Sequence, residues 1–453
     1  MKVDGLVAFE PIIGSQGVQI LPLELWSHIF HHVPWHSRQP ITLVCQTFRW
    51  LAQPLLFENL EIKIVKDNQT SLTERLKFIS LPHIAPAVIV CRMYTPTLML
   101  RVEPKYREIG LNVLPRFSNL VSLRLDGFVI TNSLLNTIAA FQHLSELELL
   151  QSTHGVNDSS PPKHPLPLRY LKSGGLPVKN DTLDTTSATL VHPMYTHTLV
   201  LGLRPYKILR KLLDTGSVFA LRSLTVRPGI ASSPEFTGIL NACPIIEELR
   251  FPVERPTASY NFSPTIYPFF EPSKTVLSRL QVFQGPWYMV EAFTEERPVG
   301  HLVVWGFDEE ERGTVQMLAA QEARHPIESL ELYTQTLTST LASTLATMHT
   351  IRALSLVIET PQAWKDVYST IERMNISSTL EYFACYASGL PSSSGQTLRP
   401  LFPKERFPRL RYLCDHDYKS YNPATGKTVD EDFIENWQRN TLGLYRPLID
   451  YYI

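Results

Sequence analysis

One short phrase recurs along most of this chain: an apolar residue, two others, an apolar residue, one other, an apolar residue. It stands at Leu120/Leu123/Leu125, Leu144/Leu147/Leu149, Leu221/Leu224/Val226 and Ile246/Leu249/Phe251. It returns at Leu277/Leu280/Val282, Ile327/Leu330/Leu332, Ile351/Leu354/Leu356 and Leu380/Phe383/Cys385. Weaker copies stand at Leu168/Leu171, near Leu199/Leu201, at Val299/Leu302/Val304 and at Leu410/Leu413. The last two apolar positions are two apart, so on an extended chain they point to one face. The first belongs to the turn leading in. Strands of this kind stacked in parallel bury one continuous apolar ladder, which no single unit can do alone.

Between phrases the period switches to that of a helix. Phe236, Ile239, Leu240 and Cys243 share a face, after Ser233 as a cap and Pro234 in the first turn. Leu337, Leu341, Leu345 and Met348 form a second stripe. Trp364, Val367, Tyr368, Ile371 and Met374 form a third, after Thr360-Pro361. From Leu120 to Leu410 the phrases start about 22 to 31 residues apart, close to the roughly 20–29 of leucine-rich repeats. Strand, turn, helix, turn at that spacing resembles an irregular leucine-rich-repeat solenoid without the fixed asparagine of regular repeats. Alternating strands and helices also build doubly wound α/β sheets, but such sheets do not require about ten phrases at near-constant spacing.

Ahead of the repeats, Leu21, Leu25, Ile29 and Val33 recur at every fourth position, with Trp26 and Phe30 beside them. Pro22 suits a first helical turn and Pro34 a helix end. A second helical run, Ile41, Leu43, Val44, Phe48 and Leu51 with Cys45 and Ala52 alongside, is closed by Pro54 in this reading. About 40 residues cannot bury that much apolar surface alone, so the unit needs something to lie against. Leu21-Pro22, Glu24-Leu25, Ile29-Phe30, Leu43-Val44-Cys45, Phe48-Arg49 and Leu51-Ala52, in that order, resemble an F-box. Gln53-Pro54-Leu55-Leu56-Phe57-Glu58-Asn59-Leu60 resembles the segment on the C-terminal side of the motif in fungal F-box proteins. The departure is Trp35-His36-Ser37-Arg38-Gln39-Pro40, polar and proline-bearing where the family keeps an aliphatic helix.

The resemblance implies a three-helix F-box at 19–58 that binds the adaptor subunit of an SCF-type ubiquitin ligase and, through it, cullin. Leu21, Pro22, Leu25, Ile29, Phe30, Val44 and Cys45 would hold the adaptor. The expected architecture is α/β: a tail at 1–18, the F-box, a curved parallel sheet with outer helices over 59–429, and a C-terminal cap at 430–453. Asp430, Glu431 and Asp432 suit a helix start, and Phe433, Ile434 and Trp437 would cover the last repeat. Three interruptions are expected as loops: Ser152 to Pro167, the aromatic Pro252 to Ser273, and Ser388 to Gly395.

Composition narrows the function classes. Apolar content of 44% and charged content of 19% describe a globular chain. A formal net charge of −1 gives no electrostatic case for nucleic acid or for an anionic membrane. No apolar run reaches the roughly 18 residues a membrane helix needs, and the first residues lack the apolar core of a secretory signal. The five cysteines, Cys45, Cys91, Cys243, Cys385 and Cys414, form no close pairs. They read as small core residues of an intracellular protein, cytoplasmic or nuclear.

Catalytic motifs are missing: there is no phosphate loop, dinucleotide fingerprint or nucleophile elbow. Adjacent His31 and His32 diverge on a helix. Asp415-His416-Asp417 has no partner cluster in sequence, and Lys105-Tyr106-Arg107 and Lys404-Glu405-Arg406 read as solvated faces. No enzyme, metal or cofactor is expected. Residues alternating with the ladder would face the open side, and Arg124, Glu146, Glu148, Arg250, Arg279, Glu331 and Tyr333 are the expected contacts to a target protein. Their mixed signs suit a folded partner better than a polyanion. The principal expectation is a substrate receptor of a ubiquitin ligase. The alternatives are a non-ligase F-box scaffold or regulatory binding module and, from another class, a hydrolase on an α/β sheet.

Overall fold

The computed structural model describes residues 21–64, 69–95, 110–154, 160, 166–175, 190–192, 194–202, 206–214, 219–252, 269, 271–273, 275–307, 312–358, 364–374, 376–387, 398–414 and 420–423. The expected tail at 1–18 and cap at 430–453 lie outside them. So do the loop Ser388–Gly395, most of the other two loops, Lys105–Arg107 and Asp415–Asp417.

Three helices open the described chain: α1 (Leu23–His32), α2 (Trp35–Ile41) and α3 (Gln46–Phe57). Pro22 and Pro34 are the N-caps of α1 and α2. The polar stretch 35–40 is helical with Pro40 inside it. The second run does not end at Pro54, because α3 continues through that proline to Phe57. An interior proline costs roughly 3 kcal/mol. Against that cost, the last turn carries Leu55 into the core between the three helices and Phe57 onto Phe78, ring centroids 5.7 Å apart.

The rest is one sheet. Its strands are β1 (Asn59–Lys63), β2 (Val90–Tyr94), β3 (Ser122–Asp126), β4 (Val129–Ile130) and β5 (Glu146–His154). Next come β6 (Tyr170–Gly175), β7 (Thr198–Leu201), β8 (Ser223–Thr225), β9 (Glu248–Arg250), β10 (Val282–Pro286) and β11 (His301–Phe307). The last are β12 (Ser329–Thr334), β13 (Ala353–Ile358), β14 (Tyr382–Ala387), β15 (Tyr412–Cys414) and β16 (Ser420–Tyr421). Apart from β4, which pairs beside β5, the strands lie side by side in chain order. All pairs are parallel until β16, which runs antiparallel to β15. Sequential parallel order is the signature of a solenoid and excludes the doubly wound alternative, whose strand order reverses.

The ladder runs unbroken through fourteen strands. Leu60, Cys91, Leu123, Leu147, Leu171, Leu199 and Leu224 stand in register, followed by Leu249, Phe283, Leu302, Leu330, Leu354, Phe383 and Leu413. All are buried in one continuous core with the helices behind the sheet. Those helices are α4 (Gln69–Ile79), α5 (Asn132–Ala139), α6 (Tyr206–Leu213), α7 (Pro234–Ala242), α8 (Trp287–Thr294), α9 (Arg312–Arg324), α10 (Ser339–Thr347) and α11 (Trp364–Arg373). Their starts follow the local chemistry: Ser233, Thr338 and Thr131 each accept a hydrogen bond from an amide three residues on, capping α7, α10 and α5.

The repeats depart from the expected frame at two places. The series begins two strands earlier than Leu120, with Phe57/Leu60/Ile62 and Val88/Cys91/Met93. The phrase at Leu277/Leu280/Val282 is displaced by three residues, since Phe283 is the ladder residue and Val282 faces forward. Leu277 instead takes a left-handed turn conformation with φ 64°. That turn is held by Arg297, whose guanidinium donates to the carbonyls of Val276 (3.0 Å), Ala292 (2.9 Å) and Ser273 (3.1 Å). Phe269, at the end of the aromatic segment, packs on Phe293 at 6.1 Å, so this end lies against the core.

Candidate docking surfaces

The first surface is on the three-helix unit. Its small core is Phe30, Ala52 and Leu55, closed by Trp26, Val33, Ile41, Phe48 and Leu51. Phe30 and Phe48 meet edge to face at 5.0 Å, and Trp26 lies 4.8 Å from Phe48. Arg38 ties the helices together: it donates to Val33 O (2.9 Å), His31 O (2.9 Å) and Leu55 O (3.1 Å). Glu58 lies 3.8 Å from its guanidinium. The polar residue that breaks the aliphatic pattern of α2 is therefore the staple of the unit.

With that core filled from one side of α1, the other side stays in solvent. Leu21 is 37% exposed, Leu25 47% and Ile29 40%, with Leu43 at 73% and Val44 at 67%. Pro22 and Cys45 are exposed too, and Cys45 Sγ caps α3 by accepting the Phe48 amide at 3.4 Å. Phe30 is corrected from a partner contact to a core residue, 3% exposed, because it fills the space against Phe48. Leu23 and Trp50, 46% and 54% exposed, were not among the expected contacts. Their apolar character was visible in the sequence, but their outward direction was not. Seven of the thirteen exposed large apolar side chains among the described residues fall within residues 21–50, which singles out this unit as the candidate docking surface.

The second surface is the front of the sheet, opposite the helices. Between ladder positions it presents Glu61, Arg92, Arg124, Glu148 and Lys172, then Val200, Thr225, Arg250, Gln284, Val303, Glu331, Ser355, Ala384 and Cys414. The row changes character at β7. Its first five members are exposed or half-buried, and every member from Val200 onward is buried. Arg124 bridges Asp126 (3.6 Å) and Glu148 (3.7 Å), and Glu146 is exposed beside them, so three of the expected target contacts share one accessible patch.

The other four do not join them. Arg279 sits in the turn before β10, a consequence of the displaced phrase. Arg250, Glu331 and Tyr333 belong to the buried part of the front. Val282, Val303, Trp305, Tyr333, Ala353, Tyr382, Ala384, Tyr412 and Cys414 form a second apolar cluster there. Within it Glu248 Oε2 accepts from Arg250 (3.2 Å) and Ser223 Oγ (3.0 Å), a buried pair satisfied internally. Burial pushes the Glu331 carboxyl up to about 7, against a hydrogen bond from Tyr333 and the charge of Arg250. These side chains build the sheet. The signal was readable: Leu302-Val303-Val304-Trp305 and Ala353 to Ile358 are nearly continuous apolar runs, the mark of strands covered on both faces.

His31 and His32 diverge, and His28 instead meets His32 edge-on at 4.8 Å. Among the described residues no group of three metal-ligating side chains converges, and no helix is long and apolar enough to cross a membrane. Cys91, Cys243, Cys385 and Cys414 are buried.

No protein-family model matches this sequence, and no curated protein matches it. Among solved structures, the crystal structure of the Rad7 and Elc1 complex in yeast aligns over 85% of this chain and 98% of that one. Its sequence identity is 14% and its TM-score 0.38. The TLR13–ssRNA13 complex aligns over 72% of this chain and 46% of that one, at 10% identity and a TM-score of 0.33. Likenesses this remote say nothing about partner or activity, and the leucine-rich-repeat-type architecture stands on the strand order and register.

Proposed function

We propose that this chain is the substrate-receptor subunit of an SCF-type ubiquitin ligase. The observation that carries the reading is the second apolar face of the N-terminal helical unit. Leu21, Leu25, Ile29, Leu43 and Val44 remain in solvent although the unit already has a closed core. These are positions at which the sequence resembles an F-box, so the resemblance and the exposed face coincide. Pro22 and Cys45 are exposed beside them in sequence, and Leu23 and Trp50 are further exposed apolar side chains of the same unit.

In this reading the helical unit docks the adaptor and, through it, cullin, while the accessible front of β1 to β6 holds a target protein. The chain performs no chemistry. It raises the effective concentration of a target lysine at a charged conjugating enzyme supplied by other subunits. The test is reconstitution with purified adaptor, cullin and conjugating enzyme. A ligase receptor co-elutes with all of them and directs ubiquitin to a bound protein. Adaptor capture without cullin or transfer supports the non-ligase scaffold, and no adaptor capture removes both readings.

A further inference from the structure

Each strand of the solenoid is entered through one residue whose carbonyl accepts the amides of the next repeat, and these residues form a row along the leading edge of the sheet. In the C-terminal part the row neutralises itself. Arg352 lies 3.6 Å from Glu328 and 2.8 Å from Glu381. Ahead of β6, β7 and β8 the row reads Arg169, His197 and Arg222, linked by the backbone bonds His197 N–H to Arg169 O (2.9 Å) and Arg222 N–H to His197 O (2.8 Å). Here like charges stand together. Arg222 reaches one acid, Glu247 at 3.6 Å, while Arg169 is exposed and has no ion-pair partner among the described residues.

Partial burial and then the charges of Arg222 and Arg169 lower the pKa of His197, so the three groups sense one another. Three cationic-type side chains set side by side, one acid among them, repel; an anion placed across them relieves that repulsion and gains charge-assisted hydrogen bonds. Adjacent strands are about 4.8 Å apart, so the two arginines start about 10 Å apart, the reach of about three residues of extended peptide.

We infer that Arg169, His197 and Arg222 form a binding site for an acidic peptide segment, glutamate-rich or phosphorylated, with two anionic side chains spaced to meet the two arginines. The patch is too short to track a nucleic-acid backbone, and the chain as a whole carries a net charge of −1. The inference rests on the repeats being a protein-binding surface and is independent of adaptor docking, since the row lies on the repeats.

The test uses the full chain and three labelled Gly/Ser decapeptides carrying two glutamates, two phosphoserines or two serines three positions apart. Fluorescence anisotropy at low salt is expected to show the acidic peptides binding about five- to tenfold tighter than the serine peptide. Lowering the pH from 7.5 to 5.5 widens the difference for the glutamate peptide, because its carboxylates stay ionised and, once bound, offset the charges of Arg222 and Arg169 that hold the His197 pKa down, with Glu247 beside Arg222. The phosphoserine peptide is compared at pH 7.5, since its second ionisation lies near pH 6. His197→Gln removes the widening, and Arg169→Gln with Arg222→Gln removes the difference itself while circular dichroism and adaptor capture stay unchanged. Phosphoserine above glutamate identifies a phosphorylated segment, and equality identifies an acidic one. Equal binding of all three peptides, full discrimination by the double variant, or tighter binding of a single-stranded oligonucleotide overturns the inference. Loss of adaptor capture alone leaves it intact.

Discussion

Replacing Arg297 by alanine tests how the solenoid absorbs its long aromatic insertion. The side chain is 1% exposed, and among the described residues its guanidinium donates to backbone carbonyls. Three bonds are firm, to Val276, Ala292 and Ser273, and two are long, to Glu295 (3.3 Å) and Pro272 (3.4 Å). Burial lowers the guanidinium pKa, and the carboxylates of Glu295, Glu296 and Glu271 work against that shift. Bonds from a charged donor contribute roughly 1.5–3 kcal/mol each, so the three firm ones amount to about 4–9 kcal/mol. Removing the side chain also removes its own desolvation cost, and water entering the space satisfies some of the carbonyls. A net loss of about 3–5 kcal/mol remains. Arg297→Lys keeps the charge but not the planar fork and should lose about half as much. Solenoids unfold region by region, so the assay is amide hydrogen exchange over residues 275–299 together with urea denaturation. A change below about 1 kcal/mol with unaltered exchange there would refute the staple.

Glu331 has a folded-state pKa raised to about 7, so the fold binds more protons than the unfolded chain between about pH 4.5 and 7, and its contribution is lost as pH rises through that window. Glu331→Gln cannot ionise and should gain on wild type between pH 5 and pH 8 by roughly 2.5 kcal/mol; thermal midpoints that fall in parallel for both proteins would contradict this. Gly127 has φ 76°, and a Cβ there would lie 2.5 Å from Thr95 Oγ1 and 2.7 Å from Thr95 O. Gly127→Ala should therefore cost about 2 kcal/mol or more in urea denaturation, and a neutral result would show that the turn after β3 shifts freely.

The ladder was legible because its rule is local: three apolar positions within six residues define a turn and one strand face. It failed where two frames fit. Leu277, Leu280 and Phe283 are all apolar, and the frame is chosen by the Arg297 contacts, which join residues more than twenty positions apart. The strands at Cys91 and at Leu60 escaped notice because their phrases carry little leucine. On α1 the sequence showed one broad apolar face, and which edge of it faces in depends on Phe48, eighteen residues beyond Phe30. The buried front of β7 to β15 was missed because the phrase describes only the inward positions, while the forward ones had to be read for their own apolar runs.

In the proposed reading the exposed side of α1 is a docking face. Its most direct test is the affinity of the purified chain for the purified adaptor subunit, measured calorimetrically for wild type and for Leu25→Asp with Ile29→Asp. Each residue leaves roughly half its side chain to be buried by a partner, about 1 kcal/mol apiece, and each aspartate adds the cost of desolvating a charge. Together these predict at least a ~100-fold weaker complex with an unchanged melting midpoint, since neither residue is in the core. Wild-type protein that does not bind the adaptor, or a double variant that binds it equally well, would rule out docking through α1.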